Sequence, residues 1–253
     1  MKKMNSDDPM NFQELWDATN HSAEFSTEKF RHLHALNSSS AFLRKAQRFF
    51  QFFKAPTVTT EPVPDLDFQL IAALNQRKST RNFSYRPLLK KDIVALISPC
   101  LSLKNNRMGA PSAGALYPLD IYIVCLHAKD LETGIYSWRA GAHDLTLLRP
   151  LPSTSDLSKN FFGGLPSNIS AIFFLVARVE PVIEKYGLRS FRLLFLEAGH
   201  LCQSLWLLAT AQKIAYLVRD DFFDQDITRY LALHPLQQKV LTSVMLGGAP
   251  SVP

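Results

Sequence analysis

Chemistry-bearing side chains concentrate in three short stretches. In RKSTRNF (77–83), Arg77, Ser79 and Arg81 occupy every second position, so an extended backbone points all three to one face. Two guanidinium forks with a hydroxyl between them suit a phosphate or carboxylate through charge-assisted, bidentate hydrogen bonds, and Lys78 adds charge from the other side. The same spacing describes a solvated basic turn equally well. In EKYGLRSFRLLFLEAGH (184–200), Lys185 and Tyr186 stand just before Gly187, at a turn or a helix end. A lysine beside a tyrosine forms a proton-transfer pair when its amine is deprotonated. Glu197 and His200, three apart on an apolar helix, read as a buried hydrogen-bonded pair more readily than as metal ligands, since no further ligand accompanies them. The third stretch is APSAGALYP (110–118), bare of large side chains in a chain with only 10 glycines. Small residues on a loop let a flat or bulky object approach the backbone. Ser112 lies there, but without the GxSxG context of a hydrolase nucleophile.

Composition narrows the classes. The chain has 253 residues, 47% hydrophobic, with 18 phenylalanines, enough for a sizeable core. A formal charge of +6 favours anionic ligands but contains no basic arm or module for nucleic acid. There is no Walker loop and no GxGxxG, which removes support for a nucleoside triphosphate or a Rossmann-bound dinucleotide. Cys100, Cys125 and Cys202 are widely spaced in apolar surroundings and read as reduced, buried thiols; no CxxC or HxxxH pair suggests zinc. The opening MKKMNSDDPMNF lacks the apolar segment of a signal peptide, so a cytoplasmic location is expected. The most apolar stretch, 192–212, contains Glu197, His200 and Gln203 and reads as a buried helix rather than a membrane span.

These residues need elements to hold them. Residues 1–30 are polar and read as loosely held. From 42 to 54, apolar residues at helical spacing alternate with Arg44, Lys45, Arg48 and Lys54, and 55–67 carries three prolines in thirteen residues, a linker pattern. The expected division is therefore an N-terminal helical extension and linker over 1–60 and a main domain over 61–253. Within the latter, 68–76 reads as a helix and 88–101 as a helix ending at Pro99. Strands are expected at 119–126, 134–139, 144–149 and 167–179, the middle two forming a hairpin around AGAH. A long helix at 192–212, a strand at IAYLV, the acidic loop RDDFFDQD, a short helix and a last strand KVLTSVMLGG complete the chain. Without a regular βαβ cadence the class is α+β.

In this order the segments ATNHS, RKSTRNFSYRPL, PSAGALYPLDIYIV, GIYSW, EKYGLRSFRLLFLEAGHLCQSL and IAYLVRDDFFDQDITRYLAL resemble the SagB/ThcOx branch of the nitroreductase superfamily. These are FMN-dependent dehydrogenases of peptide natural-product pathways, and the azoline-oxidising member of the microcin synthetase is similar. The resemblance implies a mainly antiparallel sheet flanked by helices, a homodimer with FMN at the interface, and a peptide-like or carrier-bound substrate with biosynthetic partner proteins. It assigns Arg77, Lys78, Ser79 and Arg81 to the flavin phosphate and pyrimidine edge, and Pro111, Ser112, Ala113, Gly114 and Leu116 to the loop against the ring. Lys185 becomes the general base and Tyr186 its partner in orienting substrate or relaying the proton. One departure stands out: where relatives carry a glycine pair whose amides reach the flavin, this chain has Asp220 and Asp221, and Val218 replaces a proline. Aspartates keep the N–H but bring charge that opposes an anionic reduced flavin unless their side chains turn away, for instance toward Arg219. The leading expectation is an FMN oxidoreductase acting on a thiazoline or oxazoline. The alternatives are a catalytically inert scaffold on the same fold and an NAD(P)H-dependent nitro or quinone reductase.

Overall fold

An unbroken apolar run such as AIFFLVAR needs cover on both faces, and it becomes the middle of the sheet. The computed structural model describes residues 11–20 and 68–250, so the helix read at 42–54 and the linker at 55–67 lie outside the described residues. The strands are β1 (Leu119–Cys125), β2 (Gly134–Trp138), β3 (Thr146–Pro150), β4 (Ala171–Arg178), β5 (Ile214–Arg219) and β6 (Gln238–Gly248). They form one sheet in the order β3-β2-β1-β4-β6-β5, with every neighbour antiparallel. The helices are α1 (Phe12–Thr19), α2 (Phe68–Gln76), α3 (Lys90–Leu101), α4 (Thr154–Lys159), α5 (Glu180–Tyr186), α6 (Ser190–Ala211) and α7 (Asp224–Tyr230). This is the α+β architecture expected, a central antiparallel sheet flanked by helices.

Strand alternation divides the interior in two. Ile121, Ile123, Phe173 and Leu175 face one way and pack with residues of α3 and α6. Val124, Ile172, Phe174 and Val176 face the other and meet Phe161 and Phe222 beside α4 and α7. Each such fully buried side chain contributes about 2 kcal/mol relative to exposure. The sheet is therefore a rigid base for whatever leans on it.

The largest element leaning on it is α6, which packs on β5 and β6 and against α2 and α3. Its buried positions, Ser190, Leu194, Glu197, Ala198, Leu201, Leu205 and Ala209, make a single stripe at three- and four-residue spacing. The run Glu180–Ala211 is long and apolar enough to cross a membrane by length and composition. Here it serves the sheet instead. Within one chain the helix is buried along one face and open on the other: Phe195 and Leu196 are 40% and 60% exposed, because a sheet covers only one side of a cylinder.

Two further expectations change. The helix expected to stop at Pro99 runs to Leu101, since a proline in the last turn removes only one amide bond and Ser102 N–H closes the end on the Ser98 carbonyl. Residues 12–19, read as loosely held, form a capped helix. Asn11 Oδ1 accepts from Glu14 N–H at 3.0 Å while Glu14 Oε2 accepts from Asn11 N–H at 2.8 Å. Phe12 and Trp16 are buried, the latter stacked 5.9 Å from Phe195, and Lys239 Nζ donates to Gln13 Oε1 at 2.9 Å. Replacing Trp16 by alanine should lower unfolding stability by about 3 kcal/mol. An unshifted urea midpoint would show that α1 contributes nothing to the folded domain.

Candidate functional site

The small-residue loop is a wound turn. A 3-10 turn, Ala113–Ala115, sits between Ser112 and Tyr117, and Gly114, Ala115 and Tyr117 have φ of +61°, +54° and +45°. Left-handed backbone costs roughly 1–2 kcal/mol per non-glycine residue, so outside contacts must hold this shape. Ser112 Oγ donates to Glu197 Oε2 at 2.9 Å and accepts from Tyr117 N–H at 2.9 Å. Ala113 N–H points to the same carboxylate oxygen at 3.4 Å. At the far end, Arg178 donates to the Tyr117 carbonyl at 2.8 Å and pairs with buried Asp120 at 3.1 Å. Leu116 packs on the first core, whereas Pro111 and Gly114 are exposed.

Lys185 and Tyr186 close α5, as the glycine after them implied, with Gly187 in left-handed geometry (φ +55°). Lys185 Nζ lies 5.4 Å from the centre of the Tyr186 ring. Both reach the wound turn: a Cβ built on Gly114 would stand 2.3 Å from Tyr186 Oη and 2.5 Å from Lys185 Nζ. Only glycine permits this approach. The turn and the lysine–tyrosine pair, about seventy residues apart in the chain, are thus one cluster.

The basic stretch lies elsewhere. Residues 77–83 form an irregular segment fastened by Thr80 N–H to the Tyr216 carbonyl at 3.0 Å and by buried Phe83. Lys78, Ser79 and Arg81 are exposed, while the Arg77 guanidinium lies 4.3 Å over the Trp206 ring, itself stacked on Tyr216. Beyond Trp206 on the same face of α6 come Cys202, Gly199 and Phe195, at spacings of four, three and four. They line a groove of about 420 Å³ whose opposite wall includes Val218, Asp220 and Thr242, with Trp16 and Asn20 at its rim. A Cβ on Gly199 would meet nothing within 4 Å, so the groove floor is open. The Asp pair splits. Thr242 Oγ1 donates to Asp220 Oδ1 at 2.5 Å on the groove wall. Asp221 is turned away to Arg219, whose Nε donates to it at 2.7 Å and whose other nitrogens donate to the Gly164 and Phe162 carbonyls. Burial, with the Asp220 charge adding to it, pushes the Cys202 thiol up to about 12, so it stays protonated.

Within one chain the two clusters are separate. Glu197, which holds the wound turn, and Gly199, the groove floor, are two positions apart on α6, and such residues do not face each other. Glu197 does not partner His200 either; His200 is exposed, and among the described residues no cluster of three metal-ligating side chains exists. Ser112 has a carboxylate and an amide as its partners, which makes it a fastener rather than a nucleophile. The role of Glu197 and the stacking of Arg77 on Trp206 are long-range contacts with no local sequence signal.

Burial raises the Glu197 pKa, opposed by its bonds from Ser112 and Ala113. The folded state therefore holds this proton more tightly than the unfolded chain. Its contribution is complete below the unfolded pKa and is lost as pH rises through the folded value. Glu197→Gln, which cannot ionise, should gain on the wild type in melting temperature as pH is raised from 4 to 8. A constant difference across that range would show a carboxyl with an ordinary pKa.

The sequence model of the Nitroreductase family matches residues 74–248. A Methanocaldococcus jannaschii protein described as a nitroreductase is 26% identical over 175 residues, 68% of this chain and 88% of its own length. The fold is similar to a crystal structure described as a nitroreductase from Ralstonia eutropha (TM-score 0.62, 20% identity, covering 76% of this chain and 89% of that one). It is also similar to a chain of the E. coli microcin synthetase McbBCD complex with truncated pro-MccB17 bound (TM-score 0.62, 18% identity, 96% and 89% covered). The family match takes in the basic stretch, the wound turn, the lysine–tyrosine pair and the whole sheet, and the chain belongs to the nitroreductase family.

Proposed function

We propose that this chain is an FMN-dependent dehydrogenase acting on a thiazoline, oxazoline or related peptide-like intermediate, and that its site is completed by a second copy of the chain. The observation that carries the reading is the approach of Gly114 to Lys185 and Tyr186, which ties a bare loop to an acid–base pair.

The residues present suit the cofactor. Trp206 lies seven residues, about 10 Å, along α6 from Gly199 on the same face, a span suited to a ribityl chain between an open groove and the basic stretch. Arg77, Lys78, Ser79 and Arg81 would hold the phosphate and pyrimidine edge. The Asp220 and Asp221 amides would border the ring from the groove, and Pro111, Ser112, Ala113, Gly114 and Leu116 would cover it from a neighbouring chain. The turning of Asp221 to Arg219 removes one of two carboxylates that would oppose a reduced, anionic ring. Bound FMN supplies the two-electron acceptor. Lys185 would act as general base toward the substrate Cα proton, and Tyr186 would fix the substrate or pass the proton on. The supporting argument for two chains is that the half-sites leave α6 on different flanks, while the helical elements leave Leu70, Leu74, Leu188 and Leu196 53%, 47%, 47% and 60% exposed.

A second reading, an NAD(P)H-dependent nitro or quinone reductase, is favoured by the relative described as a nitroreductase. The Asp220 carboxylate on the groove wall favours a third, a scaffold without flavin.

The purified protein should be yellow, or become so with FMN, and Arg77→Ala/Arg81→Ala should release the flavin. A protein that stays colourless with added FMN supports the scaffold. Lys185→Ala should abolish azoline oxidation in air while keeping FMN. Retained turnover removes Lys185 from the mechanism, and turnover of a nitroarene with NAD(P)H but of no azoline selects the reductase. Mixing Lys185→Ala with Arg77→Ala/Arg81→Ala chains should restore about a quarter of the sites if each is shared between two chains. No recovery on exchange of subunits would place the whole site in one chain.

A further inference from the structure

The wound turn at 112–117 is held in a backbone shape that two of its non-glycine residues resist, and the restraint at its start comes from one side chain. We infer that Glu197 is the positioning residue of the site: it fixes the turn through Ser112 and Ala113, and through Gly114 it sets where the turn stands against Lys185 and Tyr186. The inference rests on the role proposed above for that pair.

Glu197 is 7% exposed, and its bonds come from the Ser112 hydroxyl and the Ala113 amide. A buried carboxyl strongly favours keeping such donors, so the turn is drawn to it. Ser112 Oγ works in both directions, donating to Glu197 and accepting from Tyr117 N–H, and so ties the two ends of the turn together. Arg178 holds the Tyr117 carbonyl from the sheet, with its own place fixed by Asp120. Between these two anchors Gly114 has little freedom, and it is the residue that abuts Lys185 and Tyr186. The carboxyl is presented by a rigid element, because Leu194 and Leu201, on the turns either side, are buried at 1% and 0% exposure. The titratable groups across the turn are Lys185 and Tyr186 on α5, and on its own helix His200 is exposed. Glu197 touches none of the reacting groups and acts through backbone placement alone.

Amide hydrogen exchange on the full chain, with and without added FMN, tests this directly. Glu197→Ala and Ser112→Ala should each speed exchange at 113–117 by about ten- to a hundredfold, the cost of leaving a buried hydrogen-bonding group without its partner, while β1 and β4 stay protected. Glu197→Gln keeps an oxygen acceptor for Ser112 and should stay within a few-fold of the wild type. In turnover, Glu197→Ala should lower kcat with little change in KM, and Glu197→Gln should recover it. Unchanged exchange in the turn overturns the inference, as does an equal loss of kcat in the glutamine and alanine variants. If Glu197→Ala unfolds, Ser112→Ala carries the same expectation. A turn that loosens as expected in a protein without azoline turnover upholds the positioning of the turn and overturns the proposed activity instead.

Discussion

Successive residues of an α-helix turn by about 100°, so positions two apart project in nearly opposite directions. Glu197 and Gly199 stand in that relation on α6, and the layout of the site follows from it. Leu194, Leu201 and Leu205 are anchored in the first core and fix the rotation of the helix about its axis. With that rotation set, the carboxyl must emerge on the flank where the wound turn runs, and the glycine on the flank where β5 ends and β6 begins. The wound turn with Lys185 and Tyr186 and the basic segment lie on different flanks of one helix, and in the reading proposed above that is why a second chain is needed.

The charged groups around the two flanks are handled differently. On the turn side, one buried carboxyl is matched to a hydroxyl and an amide and needs no cation. On the groove side, Arg219 gathers Asp221 together with two backbone carbonyls and lies 5.3 Å over the Phe161 ring, which commits it to the protein interior. Arg77 is likewise engaged on an indole face, yet stacking leaves the in-plane donors of a guanidinium able to bond an anion. The exposed Lys78 and Arg81 keep their charge at the surface beside it. An acidic pair that looked hostile to an anionic ligand is thus half neutralised by a local ion pair, and the remaining Asp220 is held by Thr242.

Much of the architecture was legible because it is written in local patterns. Alternation and β-branched runs marked the strands to within a few residues at their ends, and the continuous run at 167–179 announced the buried strand observed at Ala171–Arg178. Gly187 marked the helix end carrying Lys185 and Tyr186. Local signals also exist for α1, since Asn11 and Glu14 make a capping box and Phe12 and Trp16 are one turn apart, although the residues around them are polar. Pro99 does not stop its helix, because its cost in the last turn is a single bond.

What the sequence by itself determined is the inventory: the basic alternation, the bare turn, the lysine–tyrosine pair, the aspartates and the α+β order of the elements. Each rests on neighbours within a few residues, where periodicity and turn chemistry act. Which of these groups touch was decided by tertiary structure alone. The approach of Gly114 to Lys185 and Tyr186, the Ser112–Glu197 bond and the placing of Glu197 and Gly199 on opposite flanks of α6 depend on how the helices seat on the sheet, set by burial of side chains scattered over the whole chain. No short window of sequence contains that information, because it resides in how the two faces of the sheet are filled.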